Sequence, residues 1–202
     1  MADSLVVIRS GATDYDLQGR IRGTLDIPLS PAGVAEAQRA ADLCAAVGPI
    51  DLLFSAPTAC AVETSRIVGR AIGLRPRRLP GLENLDQGLW QGMLVEDIRR
   101  KQPRLYRQWQ DNPWSVSPPE GELLEEACAR VESTIETISK RHPVSRIALV
   151  IPSPLDQIVL WLGAGASIRD LWHRDPDGPP IREIPLASQW LSPRRELEKI
   201  RG

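Results

Sequence analysis

The sequence predicts an α/β fold built as a three-layer sandwich, with a central, mostly parallel sheet between helices. The main observation is that short apolar runs typical of buried strands alternate along the chain with longer amphipathic patterns typical of helices. The second is length, because 202 residues fit one compact unit. We therefore expect a single domain over residues 1–202.

Three β-branched or leucine-rich runs predict the buried strands, at Leu5–Ile8, Leu52–Ser55 and Ile147–Ile151. In open α/β sheets, ligands bind in the crevice beyond the carboxyl ends of the strands. The segments that directly follow these three runs are therefore the candidate functional site.

Helix signals lie between the strands. The first helix begins after Ser30, a favourable N-cap, with Pro31 at the first helical position, and it ends at Gly48. The expected apolar face of this helix consists of Val34, Ala37, Ala41 and Cys44. A second helix follows the strand at Leu52–Ser55 and ends near Ala71. Further helical patterns span Leu94–Arg100, Arg104–Gln110, Leu123–Arg141 and Leu155–Leu162. A last, short helix is capped by Ser167 and ends near Trp172.

Two further regions are defined by composition. Residues 94–121 combine short helical patterns with a segment, residues 112–121, that holds three prolines and is expected to form a loop. Beyond residue 172, the prolines argue against a central strand, and the charged tail 192–202 is expected to be peripheral.

Charge and cysteine content exclude several classes of protein. A net charge of −1 argues against a nucleic-acid-binding surface or an anionic-membrane surface. The three cysteines are widely spaced and predict neither a disulfide framework nor a metal site.

We see no leader segment and no apolar run of roughly 18 residues. The expected protein is cytoplasmic, with no membrane contact, no cofactor and no metal.

A series of segments in residues 5–172 resembles, in order and spacing, the histidine phosphatase (phosphoglycerate-mutase-like) superfamily. These segments are Val7–Thr13, Gly19–Gly23, Asp26–Gly33, Ser55–Ser65, Leu82–Gly92, Pro119–Glu122 and Val150–Pro154. The resemblance implies the fold of that family. It also implies a reaction in which a histidine carries the phosphoryl group, two arginines and a second histidine hold the phosphate, and a carboxylic acid protonates the leaving oxygen.

The chain departs from the family pattern at four of these functional positions. Ser10 stands at the nucleophile position, Cys60 at the second arginine, Asn84 at the acid and Ser153 at the second histidine. Asp16 stands where the family often has a phosphate-binding asparagine, and it would repel phosphate. We therefore expect an inactive homologue, a pseudoenzyme, with a binding, regulatory or structural role; the alternative is a phosphatase or phosphoglycerate-mutase-type enzyme with a rearranged site.

Three arginines survive near the predicted site. Arg9 matches a family arginine, while Arg20 and Arg22 lie in the loop that, by resemblance, rims the pocket. Together they predict a vestigial, weak phosphate or anion site. In the structural alternative, Arg9 pairs with Asp16 or Asp86.

Other roles for these residues stay open. Ser10 or Cys60 could serve as a new nucleophile, and Asp14, Asp16, Glu83 and Asp86 could attract Mg²⁺, although exposed acids are the commoner explanation. The two histidines, His142 and His173, are expected at the surface or in structural roles. By resemblance to the family, residues 94–121 form a small lid over the site, and Trp109 and Trp114 within it belong either to lid packing or to a partner surface. A protein partner or a homo-oligomer is expected for an inactive homologue.

Overall fold

A computed structural model describes residues 4–143, 145–164, 171–172 and 178–186. In chain order, its strands are β1 Ser4–Arg9, β2 Leu52–Ser55, β3 Arg77–Arg78, β4 Arg146–Ile151 and β5 Ile181–Pro185. Its α-helices are α1 Asp14–Leu17, α2 Pro31–Ala46, α3 Ala59–Ile72, α4 Val95–Lys101, α5 Pro103–Asp111, α6 Leu124–Arg141 and α7 Leu155–Ala164, and two 3-10 helices span Pro80–Leu82 and Gly88–Trp90.

The five strands form one sheet in the order β3-β2-β4-β1-β5. Strand β4 pairs in parallel with both β1 and β2, β3 pairs in parallel with β2, and only β5 is antiparallel to its neighbour. Helix α2 packs on α3, and α6 packs on α7. The predicted α/β fold with a mostly parallel central sheet is confirmed.

The predicted strands and the long helices are present in the structure. The apolar residues that predicted them are mostly the residues that the fold buries. In α6, the apolar residues that recur at helical spacing are buried: Leu124, Ala127, Cys128, Val131, Ile135 and Ile138. In α2, Ser30 caps the helix as predicted, its Oγ accepting a hydrogen bond from Gly33 N at 3.0 Å. Val34 is exposed, however, and Ala40 takes its place in the core, so the expected face was wrong at that position.

Several short elements were not predicted. Helix α1 falls in a stretch read as a loop, and β3 has only two residues. Strand β5 lies at the edge of the sheet and ends on Pro185, a position where a strand tolerates proline. The helix predicted after Ser167 and the tail 192–202 lie outside the described residues, apart from residues 171–172. Among the described helices, none has the length and apolar character needed to cross a membrane.

Candidate functional site

The loop after β1 places Ser10 at the carboxyl edge of the sheet. Its backbone N–H donates to the carbonyl of Ile151 at 2.8 Å, so the ends of β1 and β4 meet there. The Ser10 side chain is buried and donates its hydroxyl hydrogen to Cys60 Sγ at 3.6 Å. Cys60 lies in the first turn of α3 and is fully buried. The structure therefore brings Ser10 and Cys60, 50 residues apart in the chain, into contact.

The side chain of Arg22 also reaches Cys60, and only 5% of the residue is exposed. Its Nη1 donates to Cys60 Sγ at 3.1 Å and to Asp16 Oδ2 at 3.4 Å, and its Nη2 donates to the carbonyl oxygen of Ser153 at 3.1 Å. One guanidinium therefore links three segments that are far apart in the chain. Its Nε is buried without a hydrogen-bond partner.

Asp16 is held in place to receive this guanidinium. Its carboxylate accepts from the backbone N–H and from the hydroxyl of Thr13, both at 2.7 Å, as part of the capping box of α1. The Arg22–Asp16 ion pair is nearly buried, with side chains 4% and 16% exposed. The positive charge at the centre of the site is thus matched by a negative charge from the protein itself.

Asn84 and Ser153, the other two positions singled out in the sequence, are also bonded within the protein. Asn84 is buried, and its Nδ2 donates to the carbonyls of Gly23 at 2.9 Å and Ser153 at 3.3 Å. Its neighbour Glu83 is exposed, so the pocket side of this segment carries an amide and no carboxylate. Ser153 Oγ donates to Asp156 Oδ1 at 2.9 Å. Burial raises the pKa of the Asp156 carboxyl, against the opposing effects of this hydrogen bond and of the positive charge of Arg9.

Arg9 and Arg20 make contacts of their own. Arg9 is half-buried, and its Nη2 donates to the carbonyl of Gly178 at 3.2 Å. Arg20 donates through Nη1 to the carbonyl of Gly92 at 2.7 Å, and its guanidinium lies 5.8 Å from the centre of the Tyr15 ring. Of the two acids that the sequence offered as partners for Arg9, Asp16 pairs with Arg22 at 3.4 Å and Asp86 accepts from Gly88 N at 2.8 Å.

A cavity of about 220 Å³ opens beside Arg22. Its polar wall is formed by Asp16, Arg20, Arg22, Gln87 and Ser153. Its aromatic wall is formed by Tyr106, Trp109 and Trp172. We call this space the polar–aromatic pocket. Arg20 and Arg22 do rim it, as the family resemblance implied.

The aromatic wall is a packed cluster. The rings of Trp109 and Trp172 are stacked with centroids 3.9 Å apart, Tyr106 lies 5.8 Å from Trp109, and Trp90 meets Trp109 edge-on at 5.4 Å. Trp109 is buried, and Trp114 packs against Trp161 at 5.0 Å. Both tryptophans singled out in the sequence therefore pack within the protein, and the partner-surface alternative for Trp109 was wrong.

The other candidate residues lie elsewhere. His142 ends α6, packs on Phe54 and precedes β4, at the end of the sheet opposite Ser10. His173 lies outside the described residues. Within the ranges that the structure describes, no group of three or more histidine, cysteine, aspartate or glutamate side chains could hold a metal ion. Asp14, Asp16, Glu83 and Asp86 therefore form no such group.

Sequence reasoning missed four residues of the site, namely Tyr106, Trp172, Gln87 and Asp156. The three residues that line the pocket were hidden because lining depends on how distant segments pack together, which no local pattern encodes. Asp156 carried a usable signal, since it follows Ser153 by three residues at the start of a helix.

Comparison with known proteins matches residues 5–179 to the family model of the histidine phosphatase superfamily, branch 1. The chain belongs to this superfamily. It is 30% identical over 138 residues to phosphoserine phosphatase 1 of Hydrogenobacter thermophilus, which covers 68% of this chain and 65% of that protein, so the chain spans about two thirds of that relative. It is also 30% identical over 143 residues to glucosyl-3-phosphoglycerate phosphatase of Mycobacterium tuberculosis, covering 70% of this chain and 63% of that protein.

Solved structures of histidine phosphatase relatives share the fold. A mycobacterial glucosyl-3-phosphoglycerate phosphatase in complex with VO3 superposes with a TM-score of 0.78 at 24% identity, covering 91% of this chain and 97% of that one. Bacillus stearothermophilus YhfR superposes with a TM-score of 0.80 at 20% identity, covering 94% of both chains. The phosphoglycerate-mutase-like fold expected from the sequence is confirmed.

Proposed function

We propose that this chain is a non-catalytic histidine phosphatase homologue, a pseudoenzyme that acts by binding. The observation that carries the proposal is the arrangement around Ser10. Serine and cysteine stand at the family's nucleophile and arginine positions and contact each other, and Arg22 donates to the cysteine while it is paired with Asp16. The polar groups of this site therefore bond to one another, and a phosphoryl group would have to displace some of these contacts.

Ser10 lacks what a serine nucleophile needs. A hydroxyl group becomes a useful nucleophile only beside a general base that removes its proton. Among the described residues, the hydrogen-bond acceptor for Ser10 Oγ is the sulfur of Cys60, a weak acceptor. The imidazole that carries the phosphoryl group in the family has no counterpart there, which removes the covalent route.

The charge balance also disfavours phosphate. Phosphoryl transfer depends on positive groups that meet the charge on the transferring oxygens, and loss of one such donor costs on the order of 10²–10³ in rate. Here a carboxylate, Asp16, neutralises the buried guanidinium of Arg22. The position of the second arginine holds a cysteine and that of the second histidine a serine, so several cationic donors are missing at once.

The names of the relatives favour a second candidate, a phosphatase or phosphomutase with a rearranged site. Relatives include phosphoserine phosphatase 1 and glucosyl-3-phosphoglycerate phosphatase. In that case Ser10 or Cys60 would attack phosphorus and Arg9 would bind the phosphate. Turnover would then depend on these residues.

Steady-state turnover separates the two candidates. The purified chain is assayed with p-nitrophenyl phosphate and a panel of sugar and glycerate phosphates, with and without Mg²⁺, beside Arg9→Ala and, as a matched control, Arg66→Ala at an exposed position of α3. The pseudoenzyme predicts no turnover above background in any of the three proteins. Turnover that is lost in Arg9→Ala and kept in Arg66→Ala would overturn it.

The proposal also covers where the protein acts and what it binds. We place the protein in the cytoplasm, acting through a protein partner or as a homo-oligomer, with at most weak anion binding by Arg9, Arg20 and Arg22. Light scattering on a size-exclusion column measures the oligomeric state, and calorimetric titration with inorganic phosphate measures the anion site. A dissociation constant below about 0.1 mM for phosphate would contradict the neutralised site.

A further inference from the structure

We infer that a groove at the end of α3 binds an extended, acidic segment of a partner protein. This open groove, which we call the arginine groove, has a volume of about 340 Å³ and is lined by Arg66, Arg70 and Arg75. None of these residues lines the polar–aromatic pocket. The inference rests on the proposed function, because a pseudoenzyme that acts by binding needs a partner, and it names the chemistry of that partner.

Positive charge is concentrated in the segment that forms the groove. Residues 66–78 contain no acidic residue, although the whole chain has a net charge of −1. The segment contains five exposed arginines, namely Arg66, Arg70, Arg75, Arg77 and Arg78. The first two are four residues apart in α3 and therefore lie on the same face of the helix.

The turn that ends α3 brings the arginines of the groove together. Gly73 takes a left-handed conformation, with a φ of 72°, and the N–H of Leu74 then donates to the carbonyl of Gly69 at 2.9 Å. Gly69 permits this close approach, because a Cβ there would lie 2.5 Å from the carbonyl oxygen of Leu74. The chain that leaves the turn therefore places Arg75 beside the two arginines of α3.

No carboxylate among the described residues neutralises these arginines. Their five side chains form neither an ion pair nor a hydrogen bond within the part of the chain that the structure describes. By contrast, Arg22, Arg130 and Arg146 each form an ion pair with an acidic side chain of the protein. Carboxylates from outside would therefore meet several guanidinium groups at once, and a guanidinium matches a carboxylate with paired hydrogen bonds.

The strand that follows the groove offers backbone groups as well. Strand β3 lies at the edge of the sheet and pairs with β2. Directly after β3, the N–H of Leu79 donates to the carbonyl of Ser55 in β2 at 2.9 Å. Neighbouring N–H groups of a strand point to opposite sides, so the N–H of Arg78 faces away from β2. An extended peptide can add to such an edge through main-chain hydrogen bonds.

A nucleic acid fits the same groove less well. Single strands are held by aromatic side chains on which the bases stack, and duplexes need a broad positive surface. The described residues that line the groove include no aromatic side chain, and its apolar part comes from Leu74 and Pro76. An acidic peptide uses both features that are present, the guanidinium groups and the backbone edge.

Two peptides of about eight residues test the charge requirement. In one, glutamate alternates with threonine, which places every carboxylate on one face of an extended strand. In the other, glutamine replaces glutamate. Their dissociation constants are measured by chemical-shift titration of the ¹⁵N-labelled chain. We expect the glutamate peptide to bind about tenfold more tightly, because several exposed charge pairs each contribute modestly. Raising NaCl from about 50 mM to about 500 mM should remove most of this difference.

Variants and amide exchange locate the binding. Arg70→Gln and Arg75→Gln should each weaken the glutamate peptide about threefold and leave the glutamine peptide nearly unchanged. Arg104→Gln, at an exposed position of α5, is the matched control and should weaken neither peptide. With the glutamate peptide at saturation, exchange of the Arg78 N–H should slow at least about fivefold, because this group gains an acceptor.

Four outcomes would overturn the inference. They are equal affinity for the two peptides, an equal loss in Arg70→Gln and Arg104→Gln, unchanged exchange of the Arg78 N–H in the saturated complex, and tighter binding of a single-stranded oligonucleotide of the same charge than of the glutamate peptide. Failure of the proposed function is seen elsewhere, as phosphatase turnover that depends on Arg9. Because Arg9 does not line the arginine groove, the two failures are told apart.

Discussion

Replacing Arg22 by methionine should destabilise the protein by about 3 kcal/mol. The substitution keeps an unbranched apolar stem and removes the guanidinium, which is bonded to Asp16, Cys60 and Ser153. Removing one partner of a buried ion pair typically costs about 3–5 kcal/mol. We take the lower end because the Asp16 side chain retains 16% of its exposure to water.

Urea unfolding, followed by circular dichroism and tryptophan fluorescence, measures this loss. For a chain of this size, about 3 kcal/mol corresponds to a fall in Tm of roughly 6–12 °C. Arg66→Met on the exposed side of α3 is the matched control and should change the free energy of unfolding by less than about 0.5 kcal/mol. A loss for Arg22→Met no larger than that of the control would refute the idea that this guanidinium holds the site together.

A double-mutant cycle tests the ion pair itself. If Arg22 and Asp16 interact as the 3.4 Å distance indicates, Arg22→Met and Asp16→Asn should be non-additive by about 1–2 kcal/mol, with the double variant more stable than the sum predicts. Additive effects would mean that the charges do not interact, and the electrostatic part of the proposed function would then lose its basis.

Three further predictions concern pH, thiols and a close backbone approach. Burial raises the pKa of Asp156 above its ordinary 3.8, so the folded state holds this proton more tightly than the unfolded state, and stability falls as pH rises through the window above 3.8. Asp156→Asn should flatten that slope in urea unfolding from pH 4 to 7 and be the more stable protein at pH 7; parallel curves would contradict it. Burial raises the pKa values of Cys44 to about 11 and Cys128 to about 12, so neither should react with Ellman's reagent at pH 8 until the chain is unfolded. A fast native reaction at either thiol would be inconsistent with this. Finally, a Cβ on Gly33 would collide with the carbonyl of Ala12, so Gly33→Ala should cost at least about 2 kcal/mol, and an unchanged urea midpoint would disprove the close contact.

Local sequence patterns determined most of the elements. The period of the apolar residues in α6 marked its buried face correctly, because a helix repeats every 3.6 residues whatever it packs against. Strands β1, β2 and β4 were found because a strand buried on both faces is apolar along its length. The two-residue strand β3 carries no such pattern.

The candidate site could be predicted only in part. The family motifs led to Ser10, Cys60, Asn84 and Ser153 as equivalent positions, and the structure brings these four residues together around Arg22. The roles of Gln87 and Tyr106 could not be foreseen, because pocket lining depends on how the loop before α4 and helix α5 are placed over the sheet. Val34 was misassigned because its period fits the buried face, while the neighbouring α3 covers a slightly different stripe of α2.

By itself, the sequence determined the order of strands and helices, the mostly parallel sheet, and the residues that stand at the family's functional positions. Those features depend on the periodicity and identity of residues close together in the chain. Only the tertiary structure decided that Arg22 contacts Cys60 and Ser153, which lie 38 and 131 residues away in the chain. Contacts at such separations depend on which loops the folded sheet brings to one edge, and no local pattern contains that information.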